Sequence, residues 1–116
     1  MNPRRVVVTG LGALTPIGNT LSKYWEGLLS GTSGAAPITY FDSTHYKTQF
    51  ACEVKNFNIQ DHLDRKEARK MDRFTQYAMV STAEAIIHAG IDLETLNKSR
   101  VGVIWGAGIG GLETFQ

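Results

Sequence analysis

The sequence predicts an α/β domain, and three observations carry that prediction. Val6-Val7-Val8 and Val103-Ile104-Trp105 are short apolar runs of the kind that buried strands carry. Two helical patterns, a short one over 20–29 and a long one over 73–89, lie between them. Each apolar run passes directly into a glycine-rich turn. The order strand, helix, loop, strand, helices, strand predicts a mixed or parallel sheet with helices packed on it.

Residues 4–9 read as the first strand, because three consecutive β-branched residues suit a strand covered on both faces. Gly10, Gly12, Pro16 and Gly18 then punctuate a loop. Thr20 is placed to cap a helix that runs to about Leu29, with Gly31 as its stop. Leu21, Tyr24, Trp25, Leu28 and Leu29 fall on one face of that helix. Residues 31–47 are rich in small and turn-forming residues and read as an irregular surface loop. In 48–54, Phe50, Cys52 and Val54 recur at period two, which predicts a half-buried strand. Short helices are expected over 59–63 and 66–71, then a long helix over 73–89 that Gly90 ends. Residues 93–96 add one turn and 101–105 the last strand, and 112–116 open another helix.

The pattern stops about one turn into that final helix, whereas an isolated helix needs roughly 12 residues or more. In the long helix, Phe74, Tyr77, Ala78, Ser81, Ala85 and Ala89 make one apolar or small face. Met79, Val80, Ala83, Ile86 and Ile87 fill much of the rest. A helix apolar nearly all round belongs inside a larger protein. The expectation is that residues 1–116 are an incomplete portion of a bigger α/β domain, without a complete catalytic site.

Composition narrows the function classes. A chain of 116 residues hides only about two-thirds of its unfolded surface. Its apolar and charged contents, 42% and 20%, are ordinary for a folded protein and argue against disorder. The net charge of +1 gives no global attraction to nucleic acid or membrane. The single cysteine, Cys52, permits no internal disulfide and suits a reducing compartment. No run approaches the ~20 apolar residues of a membrane span, and no targeting segment is visible, so a cytoplasmic protein is expected.

Several residue groups invite chemistry. Thr9-Gly10-Leu11-Gly12 superficially suggests a dinucleotide loop, where glycines let backbone N–H groups reach a pyrophosphate. The third glycine is missing, Pro16 sits where the helix should run, and no acid stands about twenty residues on, so a tight turn is the better reading. Cys52 lies mid-strand beside Glu53, which is the wrong setting for a lowered thiol pKa, so a packed core thiol is expected. His45, His62 and His88 have no metal-ligand spacing, and neither metal nor cofactor is expected. Gly106-Ala107-Gly108-Ile109-Gly110-Gly111 sets one large side chain, Ile109, alone in a glycine scaffold. That suits either the wall of an apolar ligand cavity or a packing turn, and spacing does not choose between them. Between 65 and 73, Arg65, Lys66, Arg69, Lys70 and Arg73 outnumber Glu67 and Asp72. On a helix, Lys66, Arg69, Lys70 and Arg73 share one face, while Ala68 and Met71 can pack inward. Such a stripe is either a solvated face or a docking surface for an acidic partner.

Three strings together resemble a known family. Val6-Val7-Val8-Thr9-Gly10-Leu11-Gly12 with Thr15-Pro16-Ile17-Gly18-Asn19 is similar to the opening of the β-ketoacyl-acyl-carrier-protein synthases. Asp64-Arg65-Lys66-Glu67 with Arg69-Lys70-Met71-Asp72 and Phe74 resembles a second block of that family. Gly106-Ala107-Gly108-Ile109-Gly110-Gly111-Leu112 resembles a third, and its isoleucine favours the type II synthases. The resemblance implies a thiolase-like fold, a duplicated αβαβα arrangement of which this chain is the start. It implies decarboxylative Claisen condensation of an acyl group with malonyl-carrier protein in fatty-acid elongation, and a homodimer. The family's nucleophilic cysteine and paired histidines match none of Cys52, His45, His62 and His88, so no catalytic role carries over. Ile109 matches an isoleucine lining the acyl-chain pocket. Lys66, Arg69 and Lys70 match basic positions that receive the acidic acyl carrier protein. The alternative implied by the same motifs is a chain-length-factor-like, non-catalytic partner of a polyketide synthase.

Overall fold

A computed structural model describes residues 3–112 of the chain. The expected final helix lies outside the described residues, except for its first position, Leu112. The first helix, α1 (Leu21–Leu29), begins where the sequence places it. Thr20 is extended, and its hydroxyl accepts from the Lys23 N–H at 3.3 Å, which satisfies one orphan donor of the first turn. The main helix, α3, spans Arg73–His88. Gly31 and Gly90 follow the two helices at φ 67 and 64, the left-handed conformation that ends helices at little cost only in glycine. Between the helices lie β1 (Ala36–Pro37) and β2 (Phe50–Ala51), an antiparallel pair with Ala36 opposite Ala51 and Pro37 opposite Phe50. A 3-10 turn, Ile59–Asp61, and the one-turn helix α2 (Arg65–Ala68) lead into α3. A second 3-10 turn, Lys98–Arg100, precedes the last apolar run.

The structure departs from the expected strands in three ways. The 31–47 segment contains β1 rather than being wholly irregular. The strand expected over 48–54 is reduced to Phe50–Ala51, with one further ladder bond from the Ile38 N–H to the Gln49 carbonyl at 3.0 Å. Its faces are reversed at the first positions, with Phe50 64% exposed, Cys52 exposed and Ala51 half-buried, while Val54 is half-buried as expected; Cys52 is therefore not a core thiol. The runs at 4–9 and 101–105 make no strand pairing among the described residues. Val6 is 90% exposed and Ile104 98%. β-branched composition states what a strand would pack against, and pairing follows only where a neighbour meets its backbone. No helix of the described residues is long and apolar enough to cross a membrane.

What is packed is the first glycine turn against α3. A Cβ at Gly10 would stand 2.6 Å from the Ala89 Cβ, and one at Gly12 would collide with the Ser81 carbonyl oxygen. Glycine is needed there for close approach of backbone to helix. Two side chains of α3 then hold the turn by hydrogen bonds. The Glu84 carboxylate accepts the Ala13 N–H at 2.8 Å through Oε2 and the Leu21 N–H at 2.7 Å through Oε1. His88 Nδ1 accepts the Leu11 N–H at 3.0 Å. Leu21 opens α1, so the carboxylate also meets the positive end of that helix. Farther along, Thr39 donates to Glu53 from its hydroxyl at 2.7 Å and from its backbone N–H, and the hydroxyl contact chiefly holds the Glu53 carboxyl below its ordinary range.

Replacing Glu84 by alanine leaves the part-buried Ala13 and Leu21 N–H groups without their acceptor. Equilibrium unfolding is expected to show a loss of about 2–4 kcal/mol, at one to two kcal/mol for each orphaned donor. Glu84→Gln, which keeps an acceptor but not the charge, is expected to lose less.

Candidate functional site

The basic segment is built by α2 and the turn after it. The Asp64 carboxylate caps α2 by accepting the Lys66 N–H at 2.7 Å. Ala68 is buried and Met71 half-buried, as the spacing predicts. Lys66, Arg69 and Lys70 are exposed. They do not share one continuous helix face with Arg73, because α2 ends at Ala68 and Asp72 opens α3. The Gln76 side chain closes that corner, donating through Nε2 to the Ala68 carbonyl at 3.0 Å and the Met71 carbonyl at 3.2 Å. Those carbonyls are thereby satisfied without another helical turn.

The cations differ in what they touch. Lys70 pairs with Glu67 at 2.6 Å on the surface, one step back along the same turn. Arg73 is drawn away from the stripe. Its guanidinium donates to the Tyr40 hydroxyl at 3.1 Å and lies 5.0 Å from the centre of the Tyr40 ring. Contact with the Tyr77 hydroxyl is the chief cause that raises the Arg73 pKa, against a smaller opposing effect of burial, and Tyr40 adds to the rise. Burial in turn pushes the Tyr77 phenol above its usual value, and its hydrogen bond with Tyr40 adds to that. The edge of the Phe57 ring stands against Tyr77, with centroids 5.1 Å apart. Arg73 therefore ties the 36–51 region to α3, a role that its charge alone did not suggest.

The second glycine string returns to this same corner. Gly110 lies at φ 77, and a Cβ there would reach the Phe74 ring at 3.7 Å. A Cβ at Gly111 would overlap the Asp72 carboxylate. A cavity of about 430 Å³ lies between, lined by Met71, Asp72, Phe74, Tyr77, Gly110 and Gly111 among others. Ile109, one residue before this contact, is 77% exposed.

The remaining candidates are dispersed. Cys52 is free and exposed. His62 stacks on Phe57 at 5.8 Å, and His88 is occupied by the Leu11 N–H. No cluster of three metal-ligating side chains exists among the described residues. The first glycine turn presents its Leu11 and Ala13 N–H groups to His88 and Glu84, so donors that a pyrophosphate would need already have acceptors, one of them anionic. Sequence reasoning missed Glu84 and His88. Their signal was a pair of titratable side chains four residues apart in the otherwise uncharged second half of the helix.

Residues 3–116 match the family model of the β-ketoacyl synthase N-terminal domain. The chain belongs to the β-ketoacyl synthase family. Among curated relatives, a 3-oxoacyl-[acyl-carrier-protein] synthase 2 of Staphylococcus aureus is 52% identical over 113 residues. The match takes in 97% of this chain and 27% of that relative. A synthase 2 of Synechocystis is 48% identical over 116 residues, covering 100% of this chain and 28% of the relative. The chain thus spans about a quarter of the length of these relatives. Among solved structures, the ishigamide ketosynthase/chain length factor superposes with TM-score 0.69 at 38% identity, over 80% of this chain and 23% of that one. A type II polyketide ketosynthase, solved with its acyl-carrier protein, superposes with TM-score 0.60 at 22% identity, over 78% and 23%, and shows the fold alone. The α/β, thiolase-like class of this β-ketoacyl synthase chain is therefore established, although the described residues include only a two-stranded sheet.

Because the glycine turn of this family member is filled by its own Glu84 and His88, titration calorimetry with NAD or ATP is expected to give no binding heat. A saturable heat would show that the turn opens to phosphate.

Proposed function

We propose that this chain is the N-terminal portion of a 3-oxoacyl-acyl-carrier-protein synthase of type II, an acyltransferase that elongates fatty acids. The observation that carries this reading is the 52% identity to a synthase 2 across nearly the whole chain. In the proposed reaction an acyl group passes from its carrier protein to a cysteine thiolate. Malonyl-carrier protein loses CO₂, and the carbanion formed attacks the acyl thioester carbonyl and expels the thiolate. The nucleophile and the charge-stabilising histidines belong to the rest of the longer protein, and this chain contributes docking and part of the acyl pocket.

Lys66, Arg69 and Lys70 are the docking residues for the acidic acyl carrier protein. Their exposure and their position on one corner support this, since surface cations act on an acidic partner through long-range attraction. Ile109 is the acyl-pocket residue, and its isolation among glycines supports that role. A homodimer in the cytoplasm, without metal or cofactor, completes the proposal. The chain-length-factor alternative draws on the likeness to the ishigamide ketosynthase/chain length factor, and it is weaker than the curated identity to synthases.

Reversing Lys66, Arg69 and Lys70 to glutamate in the full-length enzyme is expected to weaken carrier-protein binding about tenfold or more at low salt, mostly through slower association. Surface plasmon resonance against salt concentration checks this, and an unchanged association rate removes the docking role. The 116-residue chain by itself is expected to show no malonyl-dependent condensation. Product formation from acyl- and malonyl-carrier protein is the measurement, and real turnover would contradict the assignment of the nucleophile to the rest of the protein.

A further inference from the structure

We propose that Asp72 and Phe74 are positioning residues that seat the second glycine turn and thereby set the acyl-chain selectivity of Ile109. This inference rests on the reading of Ile109 as a pocket residue. Gly110 and Gly111 are the residues immediately after Ile109, and they approach α3 at its first turn. Gly111 lies so close to the Asp72 carboxylate that no side chain fits between them, and Gly110 lies against the edge of the Phe74 ring. The backbone on the C-terminal side of Ile109 is thus set by two side chains that flank Arg73. On the other side, Gly106 and Gly108 have open space around them and give no comparable restraint.

The seat is itself braced. Gln76 joins the carbonyls of Ala68 and Met71 to the first turn of α3, and Arg73 is held by the Tyr40 ring and hydroxyl. The corner that carries Lys66, Arg69 and Lys70 and the turn that carries Ile109 therefore share one support. A wall residue carried on glycines has little rotational restraint of its own, so its direction comes from the contact that fixes its neighbours.

The test uses the full-length enzyme and the ratio of kcat/KM for a long over a short acyl-carrier substrate. Gly111 has no left-handed φ, so Gly111→Ala acts through its overlap with Asp72 rather than through backbone strain. It is expected to shift the ratio about threefold or more, a range that a displaced apolar contact spans. Carrier-protein affinity is expected to stay within error. Phe74→Leu, a milder change on the other side of the seat, is expected to shift the ratio likewise. Asp72→Ala, which removes the carboxylate side of the seat, is expected to shift the ratio as well. Ile109→Ala is measured beside them. If Ile109→Ala shifts the ratio but Gly111→Ala, Phe74→Leu and Asp72→Ala do not, the seat is refuted and the pocket reading stands. If Ile109→Ala leaves the ratio unchanged, the pocket reading falls and takes the seat with it.

Discussion

The Glu84 carboxylate is the contact on which the packing of this chain turns. One oxygen holds the glycine turn through Ala13 and the other holds the start of α1 through Leu21, so three separate segments meet at one side chain. Both bonds are charge-assisted, and such bonds are roughly twice as strong as neutral ones. The glycines at 10 and 12 let the turn come close enough for these bonds to form. Neither half works without the other. A side chain at Gly12 would strike the Ser81 carbonyl, and loss of Glu84 would leave the packed backbone with unmet donors. The turn that resembles a phosphate loop by composition is thus a helix-packing device, filled from within.

Local signals made the helices legible. Thr20 with Gly31, and the long apolar period closed by Gly90, state the helix ends through short-range chemistry that any context preserves. The strands were less legible, because pairing depends on residues far away. Val6, Val7 and Val8 have strand character, yet their backbone finds no ladder among the described residues. The reversed faces of Phe50 and Cys52 have a related cause, since two residues of pairing impose no period on the rest. The basic residues at 66, 69 and 70 were visible by charge, but the break after Ala68 was not. It depends on a glutamine eight residues on, which no helical spacing rule reads. The role of Arg73 was hidden for the same reason, since Tyr40 lies 33 residues before it.

The candidate site is a corner rather than a cleft. Exposed cations, a tyrosine-held arginine and the second glycine turn converge where α2 gives way to α3. Their shared element is the first turn of α3, whose side chains face both ways. This concentration shows how a segment about a quarter of the length of its relatives can hold both proposed recognition elements within one corner. Recognition needs only correctly spaced charge and shape, and both are local here. Catalysis needs groups brought together from distant parts of the sequence.

The bonds to Glu84 and His88 also impose an order in time. Leu11, Ala13 and Leu21 are separated from their acceptors by 77, 71 and 63 residues. On a ribosome adding about 5–20 residues each second, these groups wait roughly 3–15 s for α3 to be made. Through that interval the glycine turn is carried on the nascent chain without its acceptors. A stretch made well before α3 is thus fixed in place only after α3 exists.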